Sequence, residues 1–474
     1  MIERSSSGSE TLISHRYPST DSKCIFSGFA PRPRFSWAIG LMGVIYIFLQ
    51  TFILSLPIDP FIDYYNHIGW GVGYENGLFP YRDFASNEYP VLSVWGWIAA
   101  YNLSPTKSYF WLSVAMNLPY WILAALGGIC LYWLLNEYGV EDRAAFGLAC
   151  LFLFLPINLV DTLNNHGSVG TASTVILAIY LWHREKHLAS AAFIAAGCSI
   201  KIYPIFVAPF LIWSLQNYQQ RVKYSIYFAS WIFLFHLPVI LILPDYFDTL
   251  FWRTTNWGGI SYAVLIGITG ELFGFDQLAT MAWMTGLAFC LIALLYEDGL
   301  NTFEKFAIIM MTNNLLEYQG NIMHIIVALP YMAVYFLNET SNLREKQGFW
   351  IYLIIGCIWA FDRLMFDLRH ISDFTGISYM SFMVLITSIL FFVYVRGLTR
   401  LGKLQWVLPL DLWNRWHQFR ATSEPSQQSP QAPREVTFSA HSRIQNVHPD
   451  LKASYSESSL PDHIPSHADL RDYK

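Results

Sequence analysis

Asp59, Asp63, Arg82, Asp83 and Glu88 follow the first long apolar stretch of a chain in which 13% of the residues are charged. A carboxylate at such a place can take a proton from a hydroxyl, and a nearby cation can hold an anionic leaving group, which together are the needs of group transfer. Asp59 precedes Pro60 and also fits a helix cap. Glu88 either binds hydroxyls or pairs with Arg82. Lys201 stands in an otherwise apolar run, where an ammonium is costly and marks a functional site by default. Its partner is then a side chain or a lipid phosphate; a lysine snorkelling to the interface is the structural alternative. Arg253 lies in "FWRTTNW", where a guanidinium among aromatic rings can bind phosphate bidentately, although an interfacial aromatic belt explains the tryptophans equally well. Asn165 and His166 occupy a polar break and fit either sugar hydrogen bonding or an interfacial turn. Gln319 sits at a helix end as a binding group or a cap.

These residues are positioned by a membrane protein. Of 474 residues, 54% are hydrophobic and 17% aromatic, and apolar runs of about 20 residues recur between Arg34 and Arg396, each enough to cross ~30 Å of hydrocarbon as a helix. The expected fold is all-α and polytopic, with roughly ten transmembrane helices. Residues 1–33 read as a polar cytosolic N-terminus without a cleaved signal peptide, and residues 34–416 as the transmembrane domain. Residues 417–474, rich in Ser, Pro, Gln and His, read as a disordered cytosolic tail. No Cys-x-x-Cys or His/Cys cluster indicates a metal site.

Charge sorting sets the orientation. Lysines and arginines concentrate in Asn136–Arg143, Trp182–His187, Asn217–Lys223, Glu297–Lys305, Asn338–Gln347 and Arg396–Lys403, so these loops and both termini are expected in the cytosol. The run Leu188–Leu215 then has basic loops at both ends. It must enter and return as two half-helices turning at Lys201–Pro204, where proline interrupts the helical hydrogen bonds. Val91–Leu103 and Ile260–Phe275 are too short or too broken to span and read as re-entrant or interfacial helices. The opening loop, Asn158–Ser168, Lys201, Asp245–Gly259, Leu316–Asn321 and Asp362–Phe374 gather on the opposite, lumenal face.

The residues Asp63-Tyr64-Tyr65, Gly77-Leu78-Phe79-Pro80-Tyr81-Arg82-Asp83-Phe84 and Glu88-Tyr89-Pro90 resemble the first loop of glycosyltransferases of the C-type superfamily that use polyprenyl-phosphate sugars. The glycosyltransferase family 87 and GPI mannosyltransferase I type is the nearest in pattern. Lys201-Ile202-Tyr203-Pro204, with Ala208-Pro209 after it, resembles the mid-chain signature of these enzymes, and Tyr318–Pro330 is distantly similar to their later Gln-Tyr element. The sequence departs from the pattern at Val91, before Gln319 and at His324.

The resemblance implies an inverting hexosyltransferase, with mannose as the expected sugar and the endoplasmic reticulum as the expected location. A dolichyl- or polyprenyl-phosphate sugar would be the donor and a glycan or glycolipid the acceptor. Asp63 is then the expected base, with Asp59 as runner-up; Lys201 and Arg253 hold the donor phosphate, and Arg82, Glu88, Asn165, His166, Tyr203 and Gln319 line the substrates. No tightly bound cofactor is expected, although Asp59 and Asp63 can share a divalent metal. No nucleotide-binding signature appears, and membrane lipid is the expected partner in place of nucleic acid. A transporter or lipid flippase is the alternative, since broken helices and an intramembrane lysine suit it too.

Overall fold

The computed structural model describes residues 34–56, 62–83, 89–156, 158, 161, 167–243, 246, 278–316, 328–365 and 373–405. For 62–66, 279–280, 338, 359–365 and 373–384 only the backbone is described. All of these residues fall in the unit Met1–Asn414, and the expected tail from residue 417 lies outside them. Among the described residues the regular elements are all helical. Hydrocarbon offers no partner for a peptide group, so an apolar chain must satisfy its backbone internally.

The helices are α1 (Ser36–Leu54), α2 (Ile62–Glu75), α3 (Val91–Leu103), α4 (Tyr109–Glu137), α5 (Asp142–Phe154), α6 (Ser168–His183) and α7 (His187–Ile200). A 3-10 turn (Tyr203–Phe206) and α8 (Ala208–Trp213) precede α9 (Tyr218–Ile242), α10 (Leu278–Leu295) and α11 (Thr302–Leu316). After α12 (Leu329–Val334) and a π turn (Tyr335–Glu339) come α13 (Leu343–Met365) and α14 (Asp373–Arg400). Among the described residues α1, α4 and α9 are long and apolar enough to cross a membrane.

The core is built around α6, whose residues from Ser168 to Ile179 are all buried. Its hydroxyls bond to its own backbone: Thr171 to Gly167, Ser173 to Val169 and Thr174 to Thr171. That leaves little polar surface unsatisfied on a helix with neighbours on every side. α4 and α7 pack on α6. A Cβ at Gly197 of α7 would collide with Thr174 of α6 and touch Pro204, so only glycine allows α6, α7 and the following turn to meet this closely.

The run from Leu188 to Leu215 breaks where its flanking charges require. α7 ends at Ile200, Lys201 is extended (φ −145°, ψ 140°), and Pro204 and Pro209 lie in the first turns of the two short helices that follow. Proline is tolerated there because no intrahelical donor is lost. The chain also comes back. His187, before the break, lies 6.2 Å from the Tyr224 ring, while the Arg221 guanidinium sits 5.0 Å over Trp213 and its Nε donates to the Leu215 carbonyl at 2.6 Å. Both ends of the run therefore rest on the first turns of α9.

α3 is the short helix expected from Val91–Leu103, packed on α2 and α4. Its 13 residues rise about 20 Å, less than the hydrocarbon thickness. The Ser93 hydroxyl donates to the carbonyl of Ile200 at 2.7 Å, satisfying one of the acceptors left open where α7 stops. The second short segment, Ile260–Phe275, lies outside the described residues.

At the opposite end of the bundle Lys403 fastens the end of α14. Its Nζ donates to Glu304 Oε1 at 2.7 Å and to both carboxylate oxygens of Glu339 at 2.8 Å, and the Gln405 amide donates to Glu297 Oε2 at 3.0 Å. Partial desolvation works against the Lys403 charge, but Glu304 and Glu339 hold its pKa above the ordinary lysine value. Lys403→Met strands buried Glu304 without its cation and should cost about 3 kcal/mol. Thermal unfolding in detergent checks this; an unchanged midpoint would show that the cluster contributes nothing to stability.

Candidate active site

The site is organised by three buried polar residues from three parts of the chain. The Lys201 ammonium donates to Ser168 Oγ at 2.7 Å. The Ser168 and Val169 amides each donate to a different oxygen of the Asp161 carboxylate, both at 3.1 Å. Asp161, Ser168 and Lys201 are 1%, 0% and 7% exposed, so both charges are out of water and Ser168 links them. Tyr203 completes the group, its hydroxyl 3.5 Å from the Ser168 carbonyl.

Local structure explains the arrangement. The residue before α6 is Gly167, at φ 64°, with no side chain to cap the helix. A Cβ there would touch the Tyr120 ring. The cap comes instead from Asp161, and a carboxylate on two first-turn amides is favoured by both the unsatisfied donors and the helix dipole. Lys201 reaches the same helix end because α7 stops one residue before it. Tyr46 of α1 and Tyr120 of α4 lie within electrostatic reach of Asp161. Gln50, one turn beyond Tyr46, is fully buried.

The opening loop is moored to this end of the bundle by a string of polar contacts. Tyr81, at φ 68°, donates from its hydroxyl to the Tyr89 carbonyl at 2.8 Å and packs edge-on against Tyr246 with ring centroids 4.7 Å apart. The Tyr246 hydroxyl is 2.9 Å from His236 Nδ1, whose Nε2 is 3.1 Å from Ser199 Oγ. Ser199 is two residues before Lys201. These contacts connect the loop to the last turn of α7.

Of the residues singled out in the sequence, Lys201 and Tyr203 come together at Ser168. Asp63 lies in the first turn of α2; that helix packs on α3, which bonds through Ser93 to the end of α7. Arg82 is 57% exposed and pairs with its neighbour Asp83 at 2.8 Å. The hydrogen bond from Arg82, with another from the Phe79 amide, holds the Asp83 carboxyl below the usual range, while Asp83 raises Arg82. Such an exposed pair contributes little to stability. Asp59, Glu88, Asn165, His166, Arg253 and Gln319 lie outside the described residues.

Asp161, Ser168, Ser93, His236 and Tyr246 were not among the sequence candidates. Asp161 is the most consequential of them, and its only sequence signal is an acid inside an apolar stretch upstream of a helix start. Chemically, the group places a buried cation beside a helix N-terminus that a carboxylate caps, and a charge at such a depth marks a candidate functional site.

No family model matches the chain, and no curated protein matches it in sequence. Among solved structures it is similar to ArnT from Cupriavidus metallidurans, determined bound to undecaprenyl phosphate, with a TM-score of 0.40, 13% identity and coverage of 78% of each chain. A likeness this slight assigns no residue a role, and the functional reading rests on the residues of this chain.

Proposed function

We propose that this protein is a membrane glycosyltransferase that moves a hexose, most simply mannose, from a dolichyl- or polyprenyl-phosphate donor to an acceptor hydroxyl with inversion. The observation that supports it is Lys201, a buried cation held by Ser168 at the break of a helix pair that enters and returns. The resemblance of the first loop and of Lys201-Ile202-Tyr203-Pro204 to polyprenyl-phosphate-sugar enzymes supplies the reaction class. The basic loops at the other end of the bundle favour a lumenal site and cytosolic termini, and the resemblance supplies residence in the endoplasmic reticulum.

In this reading Lys201 takes the donor phosphate and Asp63 the acceptor proton. As the C1–oxygen bond to phosphate breaks, Lys201 stabilises the charge that grows on the leaving phosphate. The acceptor oxygen attacks C1 from the opposite face and its proton passes to Asp63, so the anomeric configuration inverts in one step. Asp161 offsets the Lys201 charge while the site is empty, through the serine they share. A glycan or glycolipid acceptor would enter from the first-loop side, where Arg82, Glu88 and the Asn165–His166 break are expected to meet it. Arg253 is assigned to the donor phosphate, Tyr203 and Gln319 to substrate contacts, and Asp59 is the alternative base or a partner of Asp63 on a divalent metal.

Lys201→Met should weaken use of a polyprenyl-phosphate sugar by roughly one to two orders of magnitude, the worth of a charge-assisted phosphate contact. Initial rates in membranes as donor concentration varies, normalised to inserted protein, check this; an unchanged donor dependence would return Lys201 to a purely structural part.

Asp63→Asn preserves size but removes the proton acceptor, so turnover should fall by about 10² to 10⁴ with donor binding retained. A fully active Asp63→Asn enzyme removes it as base. Loss of activity in Asp59→Asn alone moves the base to that position.

Asp161→Asn keeps one of the two cap hydrogen bonds, since its amide oxygen accepts but its Nδ2 cannot, and it deletes the charge that offsets Lys201. The variant should be less thermostable without donor and show a lower apparent KM for it. A KM that stays fixed while stability falls would confine Asp161 to folding.

A further inference from the structure

A cleft of about 650 Å³ opens between α7 and α9, beside the Glu185–His187 loop. Its mouth holds Lys186, His187 and Lys223, with Glu185 the one acid among its lining residues, and Ala189, Ala192 and Trp231 lie deeper. Along α9 the lining runs from Gln220 to Trp231, about 16 Å at the helical rise, close to the ~15 Å depth of one leaflet of hydrocarbon. A second, shallower groove of about 280 Å³ lies along Val222 and Ile226 and shares Lys223 and Tyr227 with the first.

The mouth is built for an anion. α7 begins there with no side-chain cap on its first amides, leaving oriented donors at the positive end of its dipole. Two lysines stand beside them, Lys223 with its Nζ 5.7 Å from the Tyr227 ring. His187 Nδ1 is buried without a hydrogen-bond partner. Below the charges the walls are apolar, and Tyr227 lines both grooves.

We propose that this cleft is a binding site for an anionic diacyl phospholipid of the bilayer, with its phosphate at Lys186, Lys223 and the first amides of α7, and one acyl chain in each groove. Two grooves that share one lysine suit a lipid with two chains on one headgroup; a single polyprenyl chain would fill one of them. The basic mouth selects against a zwitterionic headgroup, since each lysine near a lipid surface favours negative charge. The site is at the start of α7 and Lys201 is just past its end, so occupancy would brace the half-helix that presents Lys201. The proposal does not depend on the glycosyltransferase reading, and either can fail alone.

Native mass spectrometry of the full chain in detergent tests it, titrating phosphatidylserine and phosphatidylcholine with identical acyl chains. The native protein should retain phosphatidylserine at roughly tenfold lower concentration, and the Lys186→Gln/Lys223→Gln variant should lose that preference. Ala192→Trp, which fills the cleft and leaves the lysines in place, should lose the tightly held lipid as well, giving a second reading if the double variant proves polydisperse. Equal retention of the two lipids by the native protein, or a preference unchanged in either variant, overturns the proposal. Stronger retention of undecaprenyl phosphate than of phosphatidylserine that Ala192→Trp abolishes and Lys201→Met leaves in place also overturns it, assigning the cleft to a polyprenyl chain.

Discussion

Two opposite charges buried in an apolar bundle must be compensated, and Ser168 is where Asp161 and Lys201 meet that demand. An isolated ammonium or carboxylate at this depth costs several kcal/mol, so neither charge is tolerable without polar partners. The carboxylate takes two amides at the start of α6, and the ammonium takes the hydroxyl of the residue that supplies the first of those amides. Each charge keeps its own polar partners, and the shared serine places the two opposite charges close together.

Much of the surrounding fold follows from bringing these groups to one point. α7 must end at Ile200, and the carbonyl released there is met by Ser93 of α3. The return turn must lie against α6, which Gly197 allows by leaving space for Thr174 and Pro204. The start of α6 must be open to a cap from outside the helix, and Gly167 in a left-handed conformation turns the chain without supplying one. The opening loop is then attached through Tyr81, Tyr246, His236 and Ser199 to the final turn of α7. The lysine is thus fixed by the helix ends around it, with its own flexible stem contributing little to its position.

How much of this could be read from the sequence depends on the range of the signal. The helical class, the short α3 and the break at Lys201 were legible because each follows from a local pattern: apolar runs, segment length, and proline in a run flanked by basic loops. Lys201 stands out in the sequence because a charge in an apolar run is expensive wherever it lies, and the structure shows it buried on Ser168. The role of Asp161 was hidden because its carboxylate caps α6 from seven residues upstream of Ser168, whereas capping is recognised in sequence at the residue bordering the helix. His236 and Tyr246 carry no local signal, and only the fold places them beside Ser199 and Tyr81. Arg82 shows the reverse case, since the first-loop pattern points to substrate while the structure pairs its side chain with adjacent Asp83.

The central claim is that the buried Lys201 cation is the receptor for a lipid-linked phosphate. An experimental structure of the protein with a polyprenyl-phosphate sugar tests it most directly. The account predicts a donor phosphate oxygen within about 3.2 Å of Lys201 Nζ, the distance of a charge-assisted hydrogen bond, with the sugar directed toward the first loop. A donor phosphate bound elsewhere, with Lys201 still on Ser168, would contradict it.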